Sequence, residues 1–443
     1  MFYSEKLADF IVNSKQIPLE SSKRAKELMI DALGVALAGR NEACVNNAIN
    51  ALKSLPNSGG NCKIWGKEER LSSINAAMIN GIAAHALDFD DTHTEAILHG
   101  SAILAPLCLS YGFSVCDDGE KILRAFVIGW EVAARVGVAS NGSFHKRGFH
   151  TTAIAGIFGS VAASAVLHDL NLQQTIYALG LAGSFASGVN EFLSNGSNSK
   201  VLHIANAIKN GILVANFAKS GMSGPLSIFE GRDNVFKTFG IEEECDKEAL
   251  VRGLGIDYQV LQVSLKPYPC CHFAHGLIEC ALELRKDGLK SEDIQSICCF
   301  VDSVPISFIC DPINSKYTPK TDYEAKFSMP FLMSSIFHDG MLNLESYRDL
   351  NRAEVLEFAR KITYKQRKSD GFPKYFPGHL EAVLKDGRVI QKDVFINKGN
   401  FDNPLSFEEL KAKFLGNANI EMELASNLME RINGLENLSE LEV

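Results

Sequence analysis

Thr151-Thr-Ala-Ile-Ala-Gly-Ile-Phe-Gly-Ser-Val-Ala-Ala-Ser-Ala-Val-Leu167 decides how this chain folds. The stretch carries no charge and is rich in Ala, Gly, Ser and Thr. It is short for a membrane span, which takes about 20 mostly apolar residues. A helix that is apolar on every side and does not cross a bilayer has to be buried among other helices. The neighbouring sequence supplies them. Apolar, Ala-rich segments lie near 72–86, 101–115, 120–138 and 171–187. Leu7, Phe10 and Ile11 recur at helical spacing, as do Leu28, Met29, Ala32, Leu33 and Ala36. Ser21 or Ser22 stands where a cap for the second helix is expected. With no fixed-period repeat to suggest a solenoid, the first two-thirds of the chain reads as one large helical body.

The character changes after Lys266. Residues 294–301 are rich in β-branched and apolar side chains and read as a strand. Residues 382–384 and 389–396 flank Asp386-Gly387, a hairpin turn signal. Helix returns at Ser406-Phe-Glu-Glu409, a capping-box pattern. The expected organisation is a helical domain over 1–266, a smaller α+β domain over 267–394, and a helical segment over 395–443 that packs back onto the first part.

The chain has 443 residues, 46% of them apolar and 22% charged, which excludes a disordered or low-complexity protein. Its net charge is −9. A nucleic-acid binder normally shows a basic face, so none is expected. An anionic ligand would have to be held by a local cluster of cations. The eleven cysteines are odd in number, include two adjacent pairs and form no C-x-x-C, which points to reduced thiols and not to a disulfide framework. The opening residues Met1-Phe-Tyr-Ser-Glu-Lys6 show no basic-then-apolar leader. A cytoplasmic protein away from membranes is expected.

Four polar segments interrupt the apolar sequence. The densest is His85-Ala-Leu-Asp-Phe-Asp-Asp-Thr-His93, followed by His99-Gly-Ser101. Three histidines and three aspartates, Asp88, Asp90 and Asp91, fall within it between two apolar helices. Such a cluster suits a helix end facing a cavity, a solvated loop, or a metal site, although no ligand spacing fixes a geometry. Gly148-Phe-His150 precedes the central helix and would place His150 at an N-terminus that disfavours imidazolium and favours anions. Asn195-Gly-Ser-Asn-Ser-Lys200-Val-Leu-His203 reads as a loop leading into a helix, able to present N–H groups and an ammonium, or as a plain surface loop. Lys266-Pro-Tyr-Pro-Cys-Cys-His272-Phe-Ala-His275 stiffens the apparent domain junction and adds a lysine and two histidines. No G-x-S-x-G, P-loop or dinucleotide fingerprint is present. Histidines, two lysines and a carboxylate suit proton chemistry on a small anion.

At these segments the sequence resembles the MmgE/PrpD family, which includes 2-methylcitrate dehydratase, cis-aconitate decarboxylase and iminodisuccinate epimerase. Further matching stretches are Glu191-Phe-Leu-Ser-Asn-Gly-Ser197, Gly224-Pro225, Glu230-Gly231, Ala325-Lys-Phe-Ser-Met-Pro330 and Lys398-Gly-Asn-Phe-Asp-Asn-Pro-Leu-Ser406, in family order. The resemblance implies a mainly α fold: a large all-helical domain formed by both chain ends, plus a smaller α+β lid domain. It also implies a homodimer and a site without metal or cofactor. Carried over by motif, the catalytic residues fall on Asp88, His99, His150, Lys200 and Lys266, with His150 or Asp88 moving the proton and the two lysines clamping carboxylates. Thr92, His93, His203 and His275 would help bind substrate. The implied function is a lyase acting on a di- or tricarboxylate by dehydration or decarboxylation. The alternatives are an epimerase of a small dicarboxylate and a non-catalytic carboxylate-binding protein. Three departures bear on the substrate: His99-Gly-Ser101 stands where many members have His-Pro-Ser, the loop before Lys200 is Gly196-Ser-Asn-Ser199, and Phe331 stands where relatives often carry Tyr.

Overall fold

The computed structural model describes residues Met1–Val443. The protein is mainly α-helical and forms two compact units. One comprises Met1–Ala86, Asp90–Ser264 and Ser406–Val443; the other comprises Leu87–Phe89 and Leu265–Leu405.

In the first unit the central helix Thr151–Leu167 is buried along its whole length. Small residues let its neighbours come close. A Cβ on Gly159 would lie 2.6 Å from the carbonyl oxygen of Gly129 in the helix Gly119–Ala139. On another side, a Cβ on Gly211 of the helix Lys200–Lys219 would lie 2.1 Å from the Ser160 Cβ. The Gly, Ala and Ser content of this stretch is therefore a packing requirement: any side chain at these points would separate the helices. No helix is long and apolar enough to cross a membrane.

The helix Leu19–Gly39 begins earlier than the sequence suggests. Pro18 precedes it, the Ser22 N–H already donates to the Pro18 carbonyl, and Ser21 is buried within the first turn, so neither serine is the cap. Proline fixes its own φ near the helical value, which makes it a natural starting point. The helix Phe407–Ala418 lies against Leu19–Gly39, and the Lys413 ammonium meets the Asp31 carboxylate at 2.6 Å with both side chains nearly sealed from solvent. Its start is the expected capping box: Ser406 Oγ accepts from the Glu409 N–H, and Glu409 Oε2 accepts from the Ser406 N–H.

The second unit holds a four-stranded sheet in the order Ile362–Gln366, Ile294–Val301, Gly378–Leu384, Val389–Val394. Ile294–Val301 covers the residues anticipated, and the hairpin turns at Asp386-Gly387, with Gly387 at φ 89°. The strand Ile362–Gln366 was not anticipated. It pairs parallel to Ile294–Val301 at the sheet edge, with Ile297 opposite Ile362. The helices His275–Lys286 and Met329–Asp339 contribute to a core that includes Cys280, Cys299 and Cys310. All eleven cysteines are free thiols.

Candidate active site

The first polar cluster belongs to the helical unit. The helix Ser73–His85 is capped by Ser72 and ends on His85. There the His85 Nδ1–H donates to Asp90 Oδ2 at 2.6 Å, both side chains being fully out of solvent. The next residue, Asp91, accepts the His99 Nδ1–H on its backbone carbonyl at 2.6 Å and the Ser101 N–H on Oδ1 at 3.3 Å. Ser101 opens the helix Ser101–Pro106, whose first N–H groups need acceptors. Burial raises the Asp91 carboxyl well above the usual carboxylate range. The Ser101 bond offsets this in part, and the nearby Asp90 and Asp31 add to it.

His150 is the N-cap of Thr151–Leu167. Gly148, at φ 84°, turns the chain there, and the His150 N–H donates to the Gly188 carbonyl at 3.0 Å. Asn190 completes the brace: its Nδ2 donates to the Phe149 carbonyl and its N–H to that of Gly148. Lys200 is the first residue of the helix Lys200–Lys219, so His203 sits one turn later on the same face. His150 Nδ1 and His203 Nδ1 are 3.1 Å apart and share one hydrogen.

These elements line up four imidazoles in the order His99, His85, His150, His203. Successive ring centroids lie 5.2, 5.8 and 5.3 Å apart, and the His85 and His150 planes are stacked within 25°. Phe192 presents its ring to both His150 and His203 at 6.0 Å. Burial holds His150 well below the ordinary histidine value, and Lys200, together with His85, His203 and His99 whenever they carry a proton, pushes it the same way. His203 is lowered to about 4, first by burial, then by His85 and Lys200. Both rings are therefore neutral near pH 7 and lie beside the buried Lys200.

The second cluster belongs to the other unit. Asp88 adopts φ 54°, a left-handed conformation that Asp tolerates better than most residues. The Lys266 ammonium donates to the Asp88 carbonyl at 2.8 Å and to its Oδ2 at 3.1 Å, with both side chains buried. In the same unit His272 and His275 lie 4.6 Å apart, His275 lies 5.3 Å from Tyr268, and the Tyr347 hydroxyl donates to the Pro269 carbonyl at 2.9 Å.

The sequence-derived candidates thus separate. His99, His150, Lys200 and His203 gather in the helical unit, with Thr92 Oγ1 3.4 Å from His99 Nδ1. Asp88 and Lys266 form a pair, and His275 joins His272. His93 is outside the imidazole row. Its Nδ1 accepts the Ala96 N–H and its Nε2 faces Gln259 Oε1 at 3.2 Å, while burial lowers it to about 4. Sequence reasoning did not single out His85 or Phe192. The helix-ending position of the first and the Glu191-Phe-Leu stretch around the second were the available signals. No three His, Cys, Asp or Glu side chains converge as a shared metal-binding set.

The departures at Gly100 and Phe331 have structural counterparts. A Cβ at Gly100 would lie 2.6 Å from the Trp130 indole, whose Nε1–H donates to Ser101 Oγ at 3.1 Å, so Trp130 requires the glycine. Phe331 stacks on Tyr347 within 25°.

Comparison with known proteins adds a family signal along most of the chain. The MmgE/PrpD N-terminal domain matches residues 5–248, and the MmgE/PrpD C-terminal domain matches residues 268–432. The chain is 26% identical over 434 residues to cis-aconitate decarboxylase of Mus musculus, covering 95% of this chain and 87% of that one. It is 26% identical over 440 residues to cis-aconitate decarboxylase of Homo sapiens, covering 95% and 89%. The corresponding figures for cis-aconitate decarboxylase of Aspergillus terreus are 25% over 395 residues, 84% and 77%.

Proposed function

Because the chain belongs to the MmgE/PrpD family, we propose that it is a lyase that moves a proton next to a carboxylate of a small di- or tricarboxylate, with decarboxylation of a cis-aconitate-like substrate as the leading reaction. The observation that carries this reading is the neutral His150–His203 pair held beside Lys200. The cis-aconitate decarboxylases that match nearly the whole chain support the choice of reaction.

The chemistry follows from charge. In the empty site, cations and burial keep His150 unprotonated. A multiply anionic substrate reverses that: its carboxylates offset Lys200 and raise the imidazole pKa, so His150 binds a proton in the complex. When a carboxylate leaves as CO₂, the electron pair left on carbon takes that proton. Run in the other direction, the same imidazole removes a proton next to a carboxylate, as dehydration requires. Lys200 serves as the carboxylate clamp, stabilising charge as it develops. His99, fixed by the Asp91 carbonyl, is the second candidate proton carrier, and Thr92 beside it is a candidate substrate contact. Lys266, already bonded to Asp88 twice, acts by shaping the Asp88 turn.

The test is incubation with cis-aconitate, 2-methylcitrate, citrate and iminodisuccinate, read by mass spectrometry in H₂O and D₂O. Loss of CO₂ or of water supports a lyase. Deuterium uptake at a carbon of a substrate that keeps its formula would replace the reading with an epimerase. Binding without turnover of any of the four would replace it with a carboxylate-binding protein.

A further inference from the structure

Within the imidazole row, His150 and His203 meet through a direct hydrogen bond between ring nitrogens. The contact uses Nδ1 of both rings, so one Nδ1 must carry the hydrogen and the other must not. The choice decides what His150 can do. If His150 holds its hydrogen on Nδ1, its Nε2 is a lone-pair base; if not, its Nε2 is a donor. The bond occupies the Nδ1 edge of His150, and Nε2 lies on the opposite edge of the ring. His203 is anchored on the helix Lys200–Lys219, and the Phe192 ring lies 6.0 Å, centroid to centroid, from both imidazoles.

We propose that His203 is a positioning residue that accepts the His150 Nδ1–H on its own Nδ1 and thereby fixes His150 in the tautomer whose Nε2 is an unprotonated base. His203 then carries its hydrogen on Nε2 and acts through His150, without touching substrate. The charged and titratable groups that face the pair are Lys200 from the same helix as His203, His85 at the end of Ser73–His85, and His99. All are cationic when protonated, and they disfavour a second proton on either ring. A single shared hydrogen between two neutral rings is the arrangement this surrounding field selects. The proposal rests on the reading of His150 as the proton carrier, but the tautomer is measurable without any reaction.

The experiment is histidine-selective ¹⁵N labelling of the full chain, with nitrogen–proton correlation spectra at pH 7 and the His150 signals assigned by their loss in His150→Gln. The expected result is a His150 protonated at Nδ1, with Nε2 at a pyridine-like shift. His203→Phe keeps the ring volume and removes the acceptor, and His150 should then move toward the Nε2–H form. His203→Asn restores an acceptor and should restore the Nδ1–H form. In turnover, His203→Phe should lower kcat by about 10- to 100-fold, the scale seen when the partner that orients a functional histidine is lost, with KM changed little and kcat partly regained in His203→Asn. A wild-type His150 protonated at Nε2, or the same tautomer in wild type and His203→Phe, overturns the proposal. The expected tautomer shift with kcat unchanged would leave His203 in its role and instead remove His150 from the chemistry.

Discussion

The imidazole row of the helical unit and the Lys266–Asp88 pair of the second unit meet the same difficulty in opposite ways. Both bury titratable groups, and a buried charge is costly unless compensated. Around Asp88 the compensation is an ion pair: the ammonium of Lys266 sits on the carboxylate and the carbonyl of one residue. Around His150 the imidazoles give up the proton instead. The first solution is an ion pair made between two side chains of the protein itself. The second leaves neutral rings next to Lys200. The acidic chain, at −9 overall, thus carries its cationic character locally.

The largest test of this contrast is Lys266→Met. Removing one partner of a buried pair should destabilise the protein by about 3–5 kcal/mol, measured by denaturant unfolding. Lys266→Met combined with Asp88→Asn should recover much of that loss. A single variant as stable as wild type would break the idea that the pair is an internal structural clamp. Lys200→Ala should lower kcat/KM by about 2–5 kcal/mol as a lost charge-assisted contact to substrate. It should also move the acid limb of the pH–rate profile upward, because a cation that depresses His150 and His203 has been removed. Turnover close to wild type would show that Lys200 does not hold substrate.

His93 tests the deprotonation strategy without catalysis. In the folded chain it stays neutral down to about 4, whereas in the unfolded chain it takes a proton near the ordinary value of about 6.5. The unfolded state therefore binds more protons between those values, and this contribution to stability falls as pH drops from about 6.5 to 4. On linkage grounds it is worth on the order of 3 kcal/mol. The stability difference between wild type and His93→Gln, whose amide can keep both contacts, should change by that order across this window. A pH-independent difference would contradict the assignment. The smallest effect is expected for Phe192→Leu, which removes edge contacts to His150 and His203. Loss of such contacts is worth roughly 0.5–1.5 kcal/mol and should appear as a small loss of stability.

What could be read from the sequence follows from how local each signal is. The strand Ile294–Val301 announces itself by composition, and the Ser406–Glu409 capping box spans one turn. The strand Ile362–Gln366 does not. Its Ile-Thr-Tyr-Lys-Gln is short, mostly solvent-facing and stabilised by parallel pairing to residues far earlier in the chain. At the candidate site, the position of His150 at a helix start was legible because the uncharged stretch after it is unmistakable. The Lys266–Asp88 pair was not, since 178 residues separate its members and nothing in either segment specifies the other. Read alone, Lys266 looks like a cation awaiting substrate. His85 was overlooked for a related reason: its meaning lies in the Asp90 carboxylate and the His150 ring, which only folding brings to it.

The return of residues Ser406–Val443 to the helical unit also has a consequence for synthesis. A ribosome delivers the chain from the N-terminus, so the helix Leu19–Gly39 emerges long before the Lys413 that neutralises its buried Asp31. Until the last helices are released, that carboxylate has no ammonium and the helix face that receives Phe414 stays uncovered. The segment 265–405 is complete earlier. The helical unit is thus the last to close although it is the first to be made, and its exposed interval on the ribosome is the period in which aggregation or chaperone capture would act.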